Sequence, residues 1–408
     1  MTLDFENMLH LFGCSATGKE INTEHCERLS KIRELSLLQE AWDVIYAGLR
    51  EKIISGEVKI PREIFSQLEK TFTANIARNI QKTEFNLNTV KELEKRGVKC
   101  CILKGIGVAR FYNFPEARIS SDTDILIDKK DEKKTIAVLN ELGYETEFRA
   151  KKDHHLKARH KKGGLLEVHV ALHSVPTSDI ILDDIVRYNE EFVKTEDGYY
   201  IQGINDGLVY LSAHLIKHFI NDGAGIRQMM DLLLYMKHYE KEIDWEKYNA
   251  LMKKLSYDNF IAVIKGIGVK YFGMEFENAI TSGNGFEELL EDCEKAGLFG
   301  MAEKDRKIFY SRYTQKRAKK SNIQHYIYNA VNSERGLFQL FFPKLTTMKE
   351  RYGYVKKYPF LLPAGWVHRL FDLTFLRKKN SSKNENKETH EMIERRMNTV
   401  LKLGMIKE

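Results

Sequence analysis

The sequence predicts an α+β fold in which a small mixed sheet is flanked by N-terminal and C-terminal helical regions. Apolar residues recur at three- and four-residue spacing over residues 1–95, and short strand-like runs follow from Val98 to Ile204. The helical spacing returns after Asn205. These changes of period predict four parts, residues 1–95, 96–204, 205–376 and 377–408, of which the last is a polar connection and a terminal helix.

Five apolar runs form the predicted sheet, and they are Cys100–Leu103, Ile125–Ile127, Tyr144–Phe148, Leu165–Val170 and Tyr199–Ile201. One helix, from Asp131 to Leu142, separates the second run from the third and is ended by Gly143. A strand, a helix and further strands in this order are typical of a small α/β unit with a mixed sheet.

Composition and charge limit the class of protein. The 408 residues are 43% hydrophobic and 30% charged, without a run of 18 apolar residues or the basic-then-apolar start of a signal peptide. We therefore expect a cytoplasmic protein. A net charge of +7 over this length predicts no stable nucleic-acid complex. The five cysteines are odd in number and lack a CxxC pair, which predicts free thiols.

One stretch leaves a membrane contact open. Residues 354–371 mix aromatic and basic side chains, which can rest on a membrane surface. Two prolines interrupt the stretch, so packing against other helices is the favoured interpretation.

Two carboxylates precede the second predicted strand. Asp122 and Asp124 are two residues apart, so on a strand they point to the same face. Two carboxylates at the head of a buried strand repel each other unless a cation lies between them. The pattern predicts a divalent metal site with Mg²⁺ as its occupant and Mn²⁺ as the alternative.

A third acid and a lysine complete the motif. Glu167 shares one face of the strand Leu165–Val170 with His169. Three carboxylates from two neighbouring strands can hold two metal ions about 3.5–4 Å apart, as nucleotidyl displacement requires. Upstream, Lys104 and Gly105 stand where a strand turns into a helix, and free backbone N–H groups at such a turn favour an anionic ligand.

The order of these motifs resembles the uncharacterised nucleotidyltransferase family within the DNA polymerase beta-like superfamily. The resemblance covers most of the chain and is carried by Leu103-Lys104-Gly105, Phe114–Arg118, Ser121–Ile127, Glu167-Val168-His169, and His214 and His218 with Arg227 and Asp231. It implies a nucleotidyltransferase core with Asp122, Asp124 and Glu167 as catalytic metal ligands for two Mg²⁺ ions. It also implies transfer of a nucleoside monophosphate from an NTP, ATP by default, to an unknown hydroxyl-bearing small molecule or protein, with release of pyrophosphate.

The phosphate clamp departs from the superfamily pattern. The superfamily places Gly-Ser or Gly-Gly after its first strand, whereas Ile106 follows Gly105 here. We therefore expect Lys104, Gly105, Arg118 and Ser121 to bind the nucleotide, although Arg118 can instead pair with Glu116 on the surface. Loss of the usual serine also leaves a catalytically silent nucleotide-binding regulatory protein as the alternative function. A nucleic-acid end-modifying transferase is a third interpretation, which the modest charge disfavours.

Further polar side chains are predicted to line the pocket, and they are His155, Arg159, His169, His214, His218, Arg227 and Asp231. Each has a structural alternative. Residues 153–160 can form an exposed basic strand, His169 can make a structural hydrogen bond, and Arg227 with Asp231 can form a polar contact between helices. The two histidines four residues apart share a helical face, but without an HExxH glutamate we favour a role without metal.

Overall fold

The structure is a computed structural model, and it describes residues 1–147, 155–170, 172, 192–221, 223, 225–277, 283–296, 309, 313, 348, 354, 357–371 and 387–406. Phe148 of the predicted third strand and residues 377–386 of the predicted connection lie outside the described residues. The chain divides into two compact units, Met1–Ala302 with Thr399–Met405 and Glu303–Asn398 with Ile406–Glu408. The four-part division remains a prediction.

A seven-stranded mixed sheet lies in the first unit. Its strands are β1 (Cys100–Ile102), β2 (Asp122–Ile127), β3 (Glu145–Thr146), β4 (His155–His160), β5 (Gly164–His169), β6 (Phe192–Lys194) and β7 (Tyr200–Gln202). They follow the order β3-β4-β5-β2-β1-β7-β6, with β5/β2 and β1/β7 parallel and the other neighbours antiparallel. The α+β class is confirmed. Strand β6 was not predicted, because only Phe192 and Val193 form an apolar pair there and charged residues stand on both sides of them.

Helices surround the sheet in sequence, as predicted. Those of the first unit are α1 (Leu3–Thr17), α2 (Leu29–Leu38), α3 (Trp42–Ile54), α4 (Arg62–Lys95), α5 (Ile106–Ala109), α6 (Glu132–Glu141), α7 (Ile204–Asn221), α8 (Ile226–His238), α9 (Trp245–Lys254), α10 (Asp258–Phe272) and α11 (Phe286–Ala296). Two more are α12 (Leu362–Phe371) and α13 (Lys387–Lys402). Between α2 and α3 the backbone of Glu40 has φ of 52°, which is not a helical conformation, so the two helices are separate.

One face of the sheet forms the hydrophobic core with α4 and α6. Its buried residues are Val90, Leu93, Val98, Cys100, Ile102, Ile125, Ile127, Val138, Leu139, Tyr144, Leu156, Ala158, Leu166, Val168 and Tyr199. On the same face the buried Asn86 donates from Nδ2 to Thr123 Oγ1 at 2.9 Å, so the helix also satisfies a polar strand residue. Because strand side chains alternate, the acids of β2 and β5 point to the opposite face.

Two further expectations concern thiols and membranes. All five cysteines are free, and four of them are buried, as predicted. Within the described residues, every helix is too short or too polar to cross a membrane. In the second unit the half-buried Trp366 packs against Met348, in line with the packing interpretation of α12.

Candidate active site

The parallel pairing of β2 with β5 brings two acids and a histidine together. Asp124 is in register with Glu167, and His169 lies two residues further along β5. One potential ligand atom of each of the three side chains lies within 4.8 Å of the others. Asp124 is 1% exposed and His169 is 5% exposed. Two carboxylates and an imidazole in this arrangement are donors that a divalent cation accepts.

Asp124 is ionised and bound on both of its oxygens. Lys104 Nζ lies 3.2 Å from Asp124 Oδ2, and His169 Nε2 donates to Oδ1 at 2.9 Å. Burial alone raises the pKa of Asp124, but the Lys104 charge and the His169 hydrogen bond outweigh it and hold that pKa at about 2. Burial acts in the opposite direction on Lys104, and the carboxylates of Asp124 and Asp122 keep its pKa raised. The interior of the site therefore holds a stable pair of opposite charges.

The other two acids are less enclosed. Lys157 Nζ lies 3.3 Å from Glu167 Oε1, because the two residues face each other across the antiparallel pair β4/β5. Asp122 is half-buried, and its Oδ1 accepts a hydrogen bond from Ser121 Oγ at 3.3 Å. Asp122 thus marks the open side of the site and Asp124 its buried side.

A glycine turn links β1 to helix α5. Gly105 has φ of 61°, a left-handed conformation that favours glycine, and it begins the four-residue helix α5. A Cβ at this position would lie 3.3 Å from Ser120 Oγ, which donates to the backbone carbonyl of Asp122 at 2.8 Å. The turn therefore passes close to the loop that positions Asp122.

Helix α7 contributes aromatic rings on the acid side of the sheet. Tyr210 is 2% exposed, and its phenol is near enough to Asp124 and Glu167 for their charges to act on it. Burial, and then Asp124, raise the pKa of Tyr210 far above its usual value, so its hydroxyl is neutral. The ring of His214 lies 6.1 Å from that of Tyr210 and 4.4 Å from that of His218.

A family described as "uncharacterised nucleotidyltransferase" matches residues 42–270, more than half of the chain. The chain belongs to this family. Among curated proteins and among solved structures, no match was found. The matched residues include all of the sheet, helices α3 to α9 and the cluster of Asp124, Glu167 and His169. The chain is therefore a nucleotidyltransferase enzyme with a buried acidic cluster that suits nucleotidyl transfer.

In this nucleotidyltransferase, Arg118 is held by α8. Its Nε lies 3.1 Å from Asp231 Oδ1, and Tyr112 donates to the same oxygen at 2.7 Å. Arg118 is 6% exposed and Asp231 is 7% exposed, so the ion pair is internal. The alternative that Arg118 pairs with Glu116 on the surface is wrong. A contact between Arg118 and phosphate remains a prediction.

A second arginine, this one on α8, binds the same loop. Arg227 Nη1 donates to the carbonyl of Ile119 at 2.6 Å, and its Nη2 pairs with Glu40. Arg227 and Asp231 thus both contact the segment just before Asp122. We call Tyr112, Arg118, Arg227 and Asp231 the α8 clasp.

The remaining predicted pocket residues are not all gathered at the acids. Arg159 is exposed and pairs with Glu147 at 3.2 Å. His155 lies on β4, but its side chain is outside the described residues. A pocket role for Arg159, His155, His214 and His218 remains a prediction. His169, in contrast, contacts Asp124 directly.

Sequence reasoning missed two residues near the acids. Tyr210 precedes His214 by four positions, so helical spacing alone would have placed it on the same face. Lys82 belongs to α4, and its charge acts on Asp122. Nothing in the local pattern of α4 distinguishes Lys82 from the other lysines of that helix, because its role depends on the packing of the helix against β5.

The charged pair of Asp124 and Lys104 predicts that the protein loses stability in acid. The folded pKa of about 2 lies below the ordinary value near 4, so the stabilisation is present above about pH 4 and is lost as pH falls through about 2. The free energy of unfolding should lose about 2 kcal/mol from this group over that window. We expect urea unfolding of the wild type to weaken more steeply between pH 4 and pH 2 than that of Asp124→Asn. Equal slopes would contradict the assignment.

Proposed function

We propose that this enzyme transfers a nucleoside monophosphate from an NTP to a hydroxyl group of an acceptor, with Mg²⁺ as its cofactor. The observation that carries the proposal is the in-register pair Asp124 and Glu167, which places two carboxylates on one face of the sheet beside His169. Membership of the nucleotidyltransferase family supports the reaction class. ATP is the proposed donor by default, and the proposed acceptor is a small molecule or a protein.

The donor set fits a hard divalent cation. Asp122, Asp124 and Glu167 offer carboxylate oxygens, which suit Mg²⁺ or Mn²⁺, and Asp122 lies on the open side where an ion can enter. Lys104 already balances the charge of Asp124, so its ammonium must leave Oδ2 for that oxygen to bind a metal. When bound, the cations neutralise phosphate charge and acidify the acceptor hydroxyl.

Glu167 and His169 have separate roles in the proposed displacement at the α-phosphorus. The acceptor oxygen forms a bond to the α-phosphorus, and the bond from that phosphorus to the bridging oxygen of the β-phosphate breaks. The hydroxyl proton passes to Glu167, and the electron pair leaves with pyrophosphate. His169 donates to Asp124 Oδ1 and so holds that carboxylate in one orientation. Charge neutralisation at the phosphorus, rather than a covalent intermediate, then supplies much of the rate.

The phosphates are proposed to bind at the turn after β1. Lys104, once displaced from Asp124, carries a full charge toward them, and Gly105 lets the backbone approach closely. Ser121 offers a hydroxyl next to Asp122. Arg118 completes the set, because its Nη1 has no hydrogen-bond acceptor among the described residues.

Product analysis tests the proposed function. Purified protein is incubated with each of four NTPs, with Mg²⁺ or Mn²⁺, and with a small-molecule or protein fraction of a cell extract as acceptor. We expect pyrophosphate release and a product heavier than its acceptor by one nucleoside monophosphate. Omission of the metal should abolish both signals. Tight NTP binding without pyrophosphate under every condition would contradict the transferase and favour a nucleotide-binding regulatory protein.

A further inference from the structure

Helix α4 places one lysine at the end of the sheet where Asp122 lies. The aliphatic part of Lys82 packs over Gly164, the first residue of β5, where a Cβ would lie 2.9 Å from Lys82 Cδ. Gly163 leaves even less room for a side chain, since a Cβ there would lie 1.8 Å from a ring carbon of Phe85. The two glycines therefore let α4 approach the start of β5, and Leu165 pairs with Asp122 directly beside it.

Lys82 is enclosed, yet it has no ion pair within the part of the chain that the structure describes. The side chain is half-buried, and burial lowers the pKa of its ammonium group. Among the charges that act on it, Asp122 has the largest effect and favours the ammonium form, whereas Arg118 and Arg227 oppose it. A lysine held among cations without a bonded acceptor is costly, and an anionic ligand removes that cost.

Arg118 also carries a hydrogen-bond donor without an acceptor among the described residues. Arg118 donates from Nε and Nη2 to Asp231, whereas its buried Nη1 has no acceptor among the described residues. The charges of Lys82 and Arg118 act on each other, so the two groups belong to one cationic corner.

The cationic corner lies at the proposed phosphate end of the site. Strands β1 and β2 are antiparallel, with Ile102 paired to Ile125 and the Leu103 amide bonded to the Asp124 carbonyl at 3.1 Å. The end of β1, with its Lys104-Gly105 turn, therefore lies beside the start of β2. The cationic corner and the turn thus lie on either side of Asp122.

We propose that Lys82 binds the triphosphate of the NTP and the pyrophosphate product. This inference rests on the proposed function, and it adds a phosphate-binding donor to a chain that lacks the serine of the superfamily's Gly-Ser turn. Lys82 acts as a charged hydrogen-bond donor to phosphate oxygen, and Arg118 Nη1 is the second charged donor to the phosphates. The reaction needs no proton from either group.

The test compares three variants of the full chain. Lys82→Met removes the charge but keeps an unbranched stem over Gly164, and Lys82→Arg keeps the charge. Lys91→Met is the matched control, because Lys91 is an exposed lysine of the same helix. Affinities for a non-hydrolysable NTP analogue and for inorganic pyrophosphate are measured by calorimetry, and KM and kcat are measured with the active NTP.

We expect Lys82→Met to weaken both ligands by about tenfold or more and to raise KM, as loss of a charge-assisted hydrogen bond requires. Lys82→Arg should recover most of the affinity, and Lys91→Met should match the wild type. Unchanged pyrophosphate and analogue affinities in a folded Lys82→Met protein would overturn the inference while leaving the transferase activity standing. Pyrophosphate binding that depends on Lys82 in a protein without transferase activity would instead refute the proposed function alone.

Discussion

Asp122→Asn is expected to reduce nucleotidyl transfer by about 10³-fold or more, because it removes a carboxylate of the proposed metal site without changing the size of the side chain. Asp122 is half-buried and accepts one long hydrogen bond, from Ser121, so the amide should fit with little effect on folding. The measurement is pyrophosphate release at saturating NTP and Mg²⁺, with the unfolding midpoint recorded in parallel.

The matched control for this variant is Asp128→Asn, just beyond the opposite end of β2. Asp128 is exposed, and its Oδ1 accepts from the Lys130 amide at 2.9 Å in a cap that asparagine can also form. We expect wild-type activity from this control. Full activity of a folded Asp122→Asn protein would show that the Asp-x-Asp motif is not the metal site.

Arg118→Met is expected to lower the free energy of unfolding by about 3–5 kcal/mol, because it leaves Asp231 charged in the interior. Tyr112 would remain as a donor to that carboxylate, and one neutral donor does not replace a guanidinium group. The α8 clasp also holds the segment before Asp122, so the variant should lose activity at temperatures where it is still folded. Urea unfolding and pyrophosphate release measure the two effects.

The double variant Arg118→Met with Asp231→Leu separates the charge from the geometry. With both charges removed, the interior holds no uncompensated ion, and much of the lost stability should return. Activity should not return with it, since the loop has lost its ion pair with α8 and the Arg227 hydrogen bond to Ile119 does not replace it. A single Arg118→Met variant as stable as the wild type would contradict a buried ion pair between Arg118 and Asp231.

Much of the acidic site could be predicted from local patterns. The alternation of β2 places Asp122 and Asp124 on one face, and the same rule places Glu167 with His169. The glycine before α5 marks a turn, as the φ of 61° at Gly105 confirms. These predictions hold because each depends on residues a few positions apart in the chain.

The partners of the charged residues could not be predicted in this way. Arg118 has Glu116 two residues away, yet it binds Asp231, which is more than a hundred positions distant. The choice follows from burial, since an interior guanidinium group needs a fixed carboxylate and an exposed one does not. Lys82 was overlooked for the same reason: the sequence shows a lysine on a helix and gives no sign of which strand the helix covers.

The sequence by itself determined the order of helices and strands, the faces of the acids and the strand-to-helix turn at Gly105, because short-range periodicity and backbone preference control these features. Only the tertiary structure decided that β5 runs parallel to β2 with Glu167 beside Asp124, and that α8 and α4 bring Asp231 and Lys82 to the loop before Asp122. Register and helix packing depend on burial summed over the whole core, so no local window of the chain contains them.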